Sequence, residues 1–128
     1  MRYPTAPLSL LLILAAFATA QAAETQKYPD VVDVAVTEEG DGRYRFDVTL
    51  SSPYDTHERY ADAFRISTPE GDSLGVRELL HHHANEQPFT RSLPNVAVPE
   101  GVSRVVVQGR DQQYGYGGET VEVTLPGR

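Results

Sequence analysis

The sequence contains no cysteine and no tryptophan. Without a thiol there is no disulfide, thiolate nucleophile, cysteine-ligated zinc or thiol redox couple. Nor is there a cysteine to carry a lipid behind an export signal. A folded domain must therefore be held by its apolar core alone. Positive charge is also scarce. The formal net charge is −7, and the basic residues are almost all arginines, scattered as Arg43, Arg45, Arg59, Arg65, Arg77, Arg91, Arg104 and Arg110. With no basic stripe, the surface repels nucleic acid and anionic lipid heads. Such a balance serves solubility, and it also favours cationic partners or divalent metals.

Motifs that fix a reaction are missing as well. None of Ser51, Ser52, Ser67, Ser73, Ser92 and Ser103 sits in a G-x-S-x-G elbow. Paired carboxylates for glycoside cleavage would need a cleft, which a small bare domain rarely offers. A triad assembled from distant residues stays open by counting, but an enzyme is the less favoured reading.

What is present begins with a targeting pattern. Arg2 precedes an apolar run from Leu8 to Phe17, interrupted only by Ser9, and the small residues Ala18-Thr19-Ala20-Gln21-Ala22-Ala23 follow with A-x-A spacing. The run is shorter than the roughly 20 residues that cross a bilayer, so cleavage is favoured over a retained anchor. The expectation is a signal peptide over residues 1–22 and one domain over residues 23–128, periplasmic or secreted and not inserted in a membrane.

The remainder is made of short segments of period-two alternation between Gly, Pro, Asp and Asn clusters. Val32, Val34 and Val36 are expected on one face of a first strand, which ends at Glu38-Glu39-Gly40-Asp41-Gly42. Tyr44, Phe46, Val48 and Leu50 point one way in the second, with Arg43, Arg45, Asp47 and Thr49 opposite. Tyr60 to Thr68 buries Phe64 and Ile66 in a third. Leu74 to Leu80 reads as a strand or a helical turn, a strand being favoured up to His81. Phe89 to Leu93, bracketed by Pro88 and Pro94, reads as an edge strand. Val105 and Val107 mark a sixth. Tyr114-Gly115-Tyr116-Gly117-Gly118 is expected as the tip of a last hairpin, closed by Val121, Val123 and Leu125. Seven strands without an amphipathic helix suit an all-β fold, an immunoglobulin/fibronectin III-like antiparallel β-sandwich, with a small Greek-key barrel as the competitor.

Chemistry-bearing side chains concentrate in His81-His82-His83-Ala84-Asn85-Glu86-Gln87-Pro88. If the preceding strand persists, His81 and His83 share a face roughly 6–7 Å apart and can share one metal ion. Glu86 could curl back as a third ligand, and His57, in the loop after the second strand, could add a nitrogen. Imidazole with carboxylate suits zinc, copper, nickel or iron. The plainer reading is a solvated loop whose histidines titrate near neutrality. Glu86 and Arg91 are placed to pair across the bend, with Asn85 and Gln87 satisfying loop backbone. Tyr114 and Tyr116 offer the aromatic contact area with a polar end that many binding loops use. They stand with Arg91 as the candidate partner-binding residues.

The stretch G-V-R-E-L-L-H-H-H-A-N-E-Q-P-F-T-R-S-L, followed by V-P-E-G-V-S-R-V-V-V-Q-G-R-D and G-Y-G-G, resembles a group of small exported bacterial proteins of uncharacterised function. The group carries the segment H-x-H-x-N-E-Q-P-F-T-R on an immunoglobulin/fibronectin III-like sandwich, and the similarity runs from about Ser52 to the end. It implies the sandwich and the exported location and carries over no functional residue. The expectation is a non-enzymatic exported binding module whose partner is a protein or an envelope component. The alternative is a metal-binding protein, holding a divalent transition metal such as zinc or copper.

Overall fold

Arg43–Ser51 is the strand around which the sheets are arranged, and its alternation does what the sequence predicts. Tyr44, Phe46, Val48 and Leu50 are fully buried, because successive side chains of a strand face opposite sides. In the computed structural model, which describes residues 2–4 and 26–128, this strand is β2 of seven. The others are β1 (Asp30–Gly40), β3 (Ala61–Ser67), β4 (Ser73–Glu78), β5 (Phe89–Ala97), β6 (Arg104–Asp111) and β7 (Gly115–Thr124). No helix forms among the described residues. The export segment expected over 1–22 lies, apart from residues 2–4, outside them.

The strands make two antiparallel sheets, ordered β1-β2-β5 and β4-β3-β6-β7. Their facing surfaces enclose one core, in which Phe46 and Val48 meet Phe64, Ile66, Val105 and Val107, with Phe89 and Leu125 at its ends. Because every strand runs from end to end, three connections gather at one pole: residues 52–60, residues 79–88 and the turn Gln112–Tyr114. The β1–β2 turn, the β3–β4 turn and the β5–β6 connection gather at the other.

Three expectations need correction. Val31, not Val32, is the buried valine at the start of β1, and Val32 is 51% exposed. A register break between Val31 and Asp33 is the cause. The bulge inserts one residue and flips the phase, after which Val34 and Val36 point inward as expected. The strand at Phe89 is an edge strand, but it runs through Pro94 to Ala97. Leu93 faces Phe46 and Val96 faces Tyr44, so β5 carries an extra residue there, with Asn95 at φ 62°. Proline is harmless in that bulge because no ladder N–H is required of it.

The third correction concerns the glycines. Gly115 to Gly118 is not a hairpin tip: it is the first part of β7, and the tip is Gln112–Tyr114. A Cβ on Gly117 would lie 2.4 Å from the Tyr28 ring, one on Gly118 against the Pro29 carbonyl oxygen, and one on Gly109 2.6 Å from Pro29 Cγ. These glycines form a trough that seats residues 28–29 as a strap across β6 and β7. Gln26 Nε2 extends it by donating to the Ser51 carbonyl at 3.1 Å.

Gly117→Ala should therefore displace the strap and cost about 1–3 kcal/mol, as overpacking does. Gly40→Ala, where a Cβ meets nothing within 4 Å but φ is +91°, should cost only the backbone strain of roughly 1–2 kcal/mol. Urea unfolding of the two variants measures the difference. Equal and small losses would mean the strap does not press on β7.

Candidate functional site

The pole formed by residues 52–60, residues 79–88 and the β6–β7 turn is tied together by two buried carboxylates. Asp55 is the first. One of its oxygens accepts from the Ala61 N–H at 3.0 Å and the other from the His83 N–H at 2.9 Å, so a single side chain joins the β2–β3 and β4–β5 loops. Gln87 adds a second tie. Its Oε1 accepts from the Ser52 N–H at 2.7 Å, while its Nε2 donates to the His83 carbonyl at 3.0 Å. Neither loop has strand partners, so side chains supply what a ladder would have given its backbone.

Asp111, at the end of β6, is the other. It accepts from the Tyr54 hydroxyl and from Arg59 Nη1, both at 2.7 Å, on one oxygen. The second oxygen takes the N–H groups of Gln113 and Tyr114, each at 2.9 Å. Arg59 also donates to the carbonyls of Lys27 and Gln26, at 2.9 and 2.8 Å, and its guanidinium lies 4.1 Å over the Tyr54 ring. Burial first, and then the hydrogen bond to Asp111, push the Tyr54 hydroxyl far above tyrosine's ordinary range. It therefore stays a donor at any working pH.

All four histidines of the chain sit at this pole. The strand does not persist to them: β4 ends at Glu78, so the spacing that put His81 and His83 side by side along a strand does not hold. Their rings stack instead, with centroids 4.9 Å apart and planes 30° apart, and His83 stacks on Phe89 at 4.1 Å and 8°. His57 does reach the histidine loop, but it meets His82, edge to face at 4.2 Å. Glu86 is held by Arg91 through two hydrogen bonds of 3.1 and 3.2 Å. That bond to Arg91 keeps the Glu86 carboxyl below its usual range. The expected ligand set of His81, His83, Glu86 and His57 is thus divided among three local contacts. Imidazole lone pairs lie in the ring plane, and near-parallel rings aim them side by side rather than at one point. Among the described residues no group of three or more His, Cys, Asp or Glu is placed to hold a metal ion.

The contact residues expected from sequence are also separated. Tyr114 stands at the pole, 51% exposed, with Lys27 and Arg59 over its ring at 5.6 and 5.3 Å. Tyr116 belongs to β7 and lies between Arg65 and Arg110. Arg91, near the start of β5, borders a hollow of about 430 Å³ shared with Arg77, Leu79, Leu80, His81 and His83. Leu80 is 84% exposed at its mouth. The sequence reading passed over Asp55, Asp111 and Arg59, whose partners lie up to 57 positions away. It also passed over Leu80, although an apolar residue just before a polar loop is a signal that could have been read. A larger hollow at the opposite pole, about 650 Å³, is bordered by Arg128. That guanidinium is spent on the carbonyls of Val98, Pro99 and Val102.

Asp55→Ala should leave two buried N–H groups without acceptors and cost about 2–3 kcal/mol. Its signature in hydrogen exchange should be faster exchange at both Ala61 and His83, and protection unchanged at His83 would show that the loop is held elsewhere. Acid should weaken the pole too. Burial first, then Arg91 and His81, hold the His83 imidazole below histidine's ordinary 6.5, with Asp55 and Glu86 opposing. The folded state then binds fewer protons than the unfolded chain. The stability from neutral His83 is complete above pH 6.5 and is lost as pH falls toward the folded value. Denaturant midpoints at pH 7.5 and 5.5 should fall in that order, and the gap should narrow in His83→Gln.

Over 94 residues the chain is 47% identical to a protein of Halomicrobium mukohataei named "Putative lipoprotein". The match covers 73% of this chain and 46% of that protein, so the chain spans less than half the length of the curated relative it matches. No family model matches. Among solved structures, a superoxide reductase from Giardia intestinalis superimposes with a TM-score of 0.45 at 13% identity. The overlap covers 75% of this chain and 99% of that one.

Proposed function

We propose that this chain is an exported, non-enzymatic recognition module with an immunoglobulin/fibronectin III-like sandwich, and that the pole tied by Asp55 and Asp111 is its contact surface. The strand order β1-β2-β5 over β4-β3-β6-β7 supports that class of sandwich. Export is supported by the apolar run Leu8 to Phe17 with its A-x-A sites and by the name of the Halomicrobium relative. Lacking a cysteine, this chain would not share a lipid linked through a thiol.

The observation that carries the recognition reading is the cross-tying of three loops by buried side chains while Leu80 and Tyr114 remain outside. Loops fixed before binding lose little conformational entropy when a partner arrives. Large apolar and aromatic side chains presented on such loops are what interfaces use as anchors.

Two measurements check this. The envelope or medium fraction of producing cells should contain a form whose first residue is Ala23, read by intact mass. A photo-crosslinking residue at Leu80 or Tyr114 should give a discrete adduct in those cells, whereas one at Glu70 or Glu100 on the opposite pole should not. Adducts of equal yield from both poles would sink the assignment of the surface.

A further inference from the structure

We propose that the hollow between the end of β4 and the start of β5 is a binding pocket for a carboxylate carried on an apolar body. The inference refines the recognition reading and rests on it for the pole at which the pocket opens. The hollow, about 430 Å³, is of the size that takes a small ligand or a single terminal residue.

Charge decides the polar end of the ligand. Arg77 spends Nη1 on the Ser92 carbonyl at 3.0 Å and makes no ion pair among the described residues, so the rest of its planar fork is open to a carboxylate. Arg91 borders the same space with its charge shared by Glu86. The one carboxylate on the wall, Glu78, is engaged by Arg110 Nη2 at 2.9 Å. In a chain of net charge −7, this wall is locally cationic. One unshared guanidinium matches a single negative charge, and a phosphate dianion would ask for more donors than the wall supplies.

Two further observations point to an occupant. His83 lines the hollow at 7% exposure, and its Nδ1 is buried without a hydrogen-bond partner. Groups of that kind are rare in native proteins because an unpaired buried polar atom is costly. Leu79 forms apolar wall, and Leu80, 84% exposed, hangs at the mouth, where covering it would remove apolar surface from water. A carboxylate oxygen at Arg77 with an acyl or leucine-like body against Leu79 and Leu80 meets the charge and the apolar surface of the wall, and it comes to rest beside the His83 ring. Such a group comes either from a free acid or from the last residue of a polypeptide.

The test titrates the purified protein with octanoate, N-acetyl-leucine, N-acetyl-leucinamide and inorganic phosphate, following Leu80 methyl and His83 ring signals by NMR. At least one carboxylate should bind with sub-millimolar affinity and move both sets of signals, and the neutral amide should not. Octanoate binding tighter would assign the free acid, and N-acetyl-leucine binding tighter the polypeptide terminus. Arg77→Gln should weaken the better ligand roughly tenfold or more, since it removes a charge-assisted pair. Should that variant fold poorly, Leu80→Asp, a change at an exposed position, should abolish binding by setting a negative charge at the mouth. Neither carboxylate moving the signals, equal binding of the amide, or binding of phosphate alone would overturn the pocket. Crosslinking from Leu80 and Tyr114 would still be expected in that event, so failure of the pocket and failure of the recognition reading are separate results.

Discussion

The carboxylate of Asp111 has no exposed surface, yet it faces the Arg59 guanidinium at 2.7 Å. Burying an ion pair is favourable only when the geometry is good and the remaining lone pairs are met. Here they are: the Tyr54 hydroxyl and the N–H groups of Gln113 and Tyr114 complete the set. One side chain at the end of β6 thereby fixes the shape of the β6–β7 turn and the position of the β2–β3 loop. Through Arg59 it also holds the carbonyls of residues 26 and 27. The strap over Gly109, Gly117 and Gly118 follows from it, since the chain must enter β1 from where Arg59 holds it.

This arrangement supplies what a disulfide gives many exported domains. With no cysteine available, cross-linking between distant loops falls to hydrogen-bonded carboxylates, Asp111 for the strap and turn, Asp55 for the two loops beside the histidines. Such ties hold geometry as a covalent bridge does, but they depend on pH and on the completeness of each hydrogen-bond set. Among the described residues Arg65 Nε and the His83 ring Nδ1 are buried without a partner, and of the two His83 borders the hollow shared by Arg77 and Arg91.

Much of the fold was legible because period-two alternation survives single-residue reading. Tyr44, Phe46, Val48 and Leu50 declare their face, and Val105 with Val107 and Val121 with Val123 do the same. The phase of β1 was not legible, since a bulge at Val31 and Asp33 has no side-chain signature. The glycines of β7 suggested a turn because their real cause, the approach of Tyr28 and Pro29, comes from a segment 89 positions away. The site divides in the same way. Sequence brought His57 and His81 to His83 to one pole through the convergence of loops, but ring pairing depends on where β4 stops. Glu78 ends it, and nothing local in Leu79-Leu80-His81 says so.

Charge shows how much composition alone leaves open. A net of −7 suggests an acidic surface seeking cations, but the acids are not spread evenly. Glu38, Glu39, Asp41, Glu70, Asp72 and Glu100 are exposed at or beside the connections of the opposite pole. The histidines, with Arg59, Arg77 and Arg91, gather at or beside this one. Acids stand at this end too, but Asp111 is met by Arg59, Glu86 by Arg91 and Glu78 by Arg110, so the two ends differ in how their acids are paired as well as in shape. Under the proposed reading, what sets this end apart is local: Arg77, bonded to the Ser92 carbonyl, borders the same hollow as the exposed Leu80, so an anionic group and an apolar anchor would be met together there.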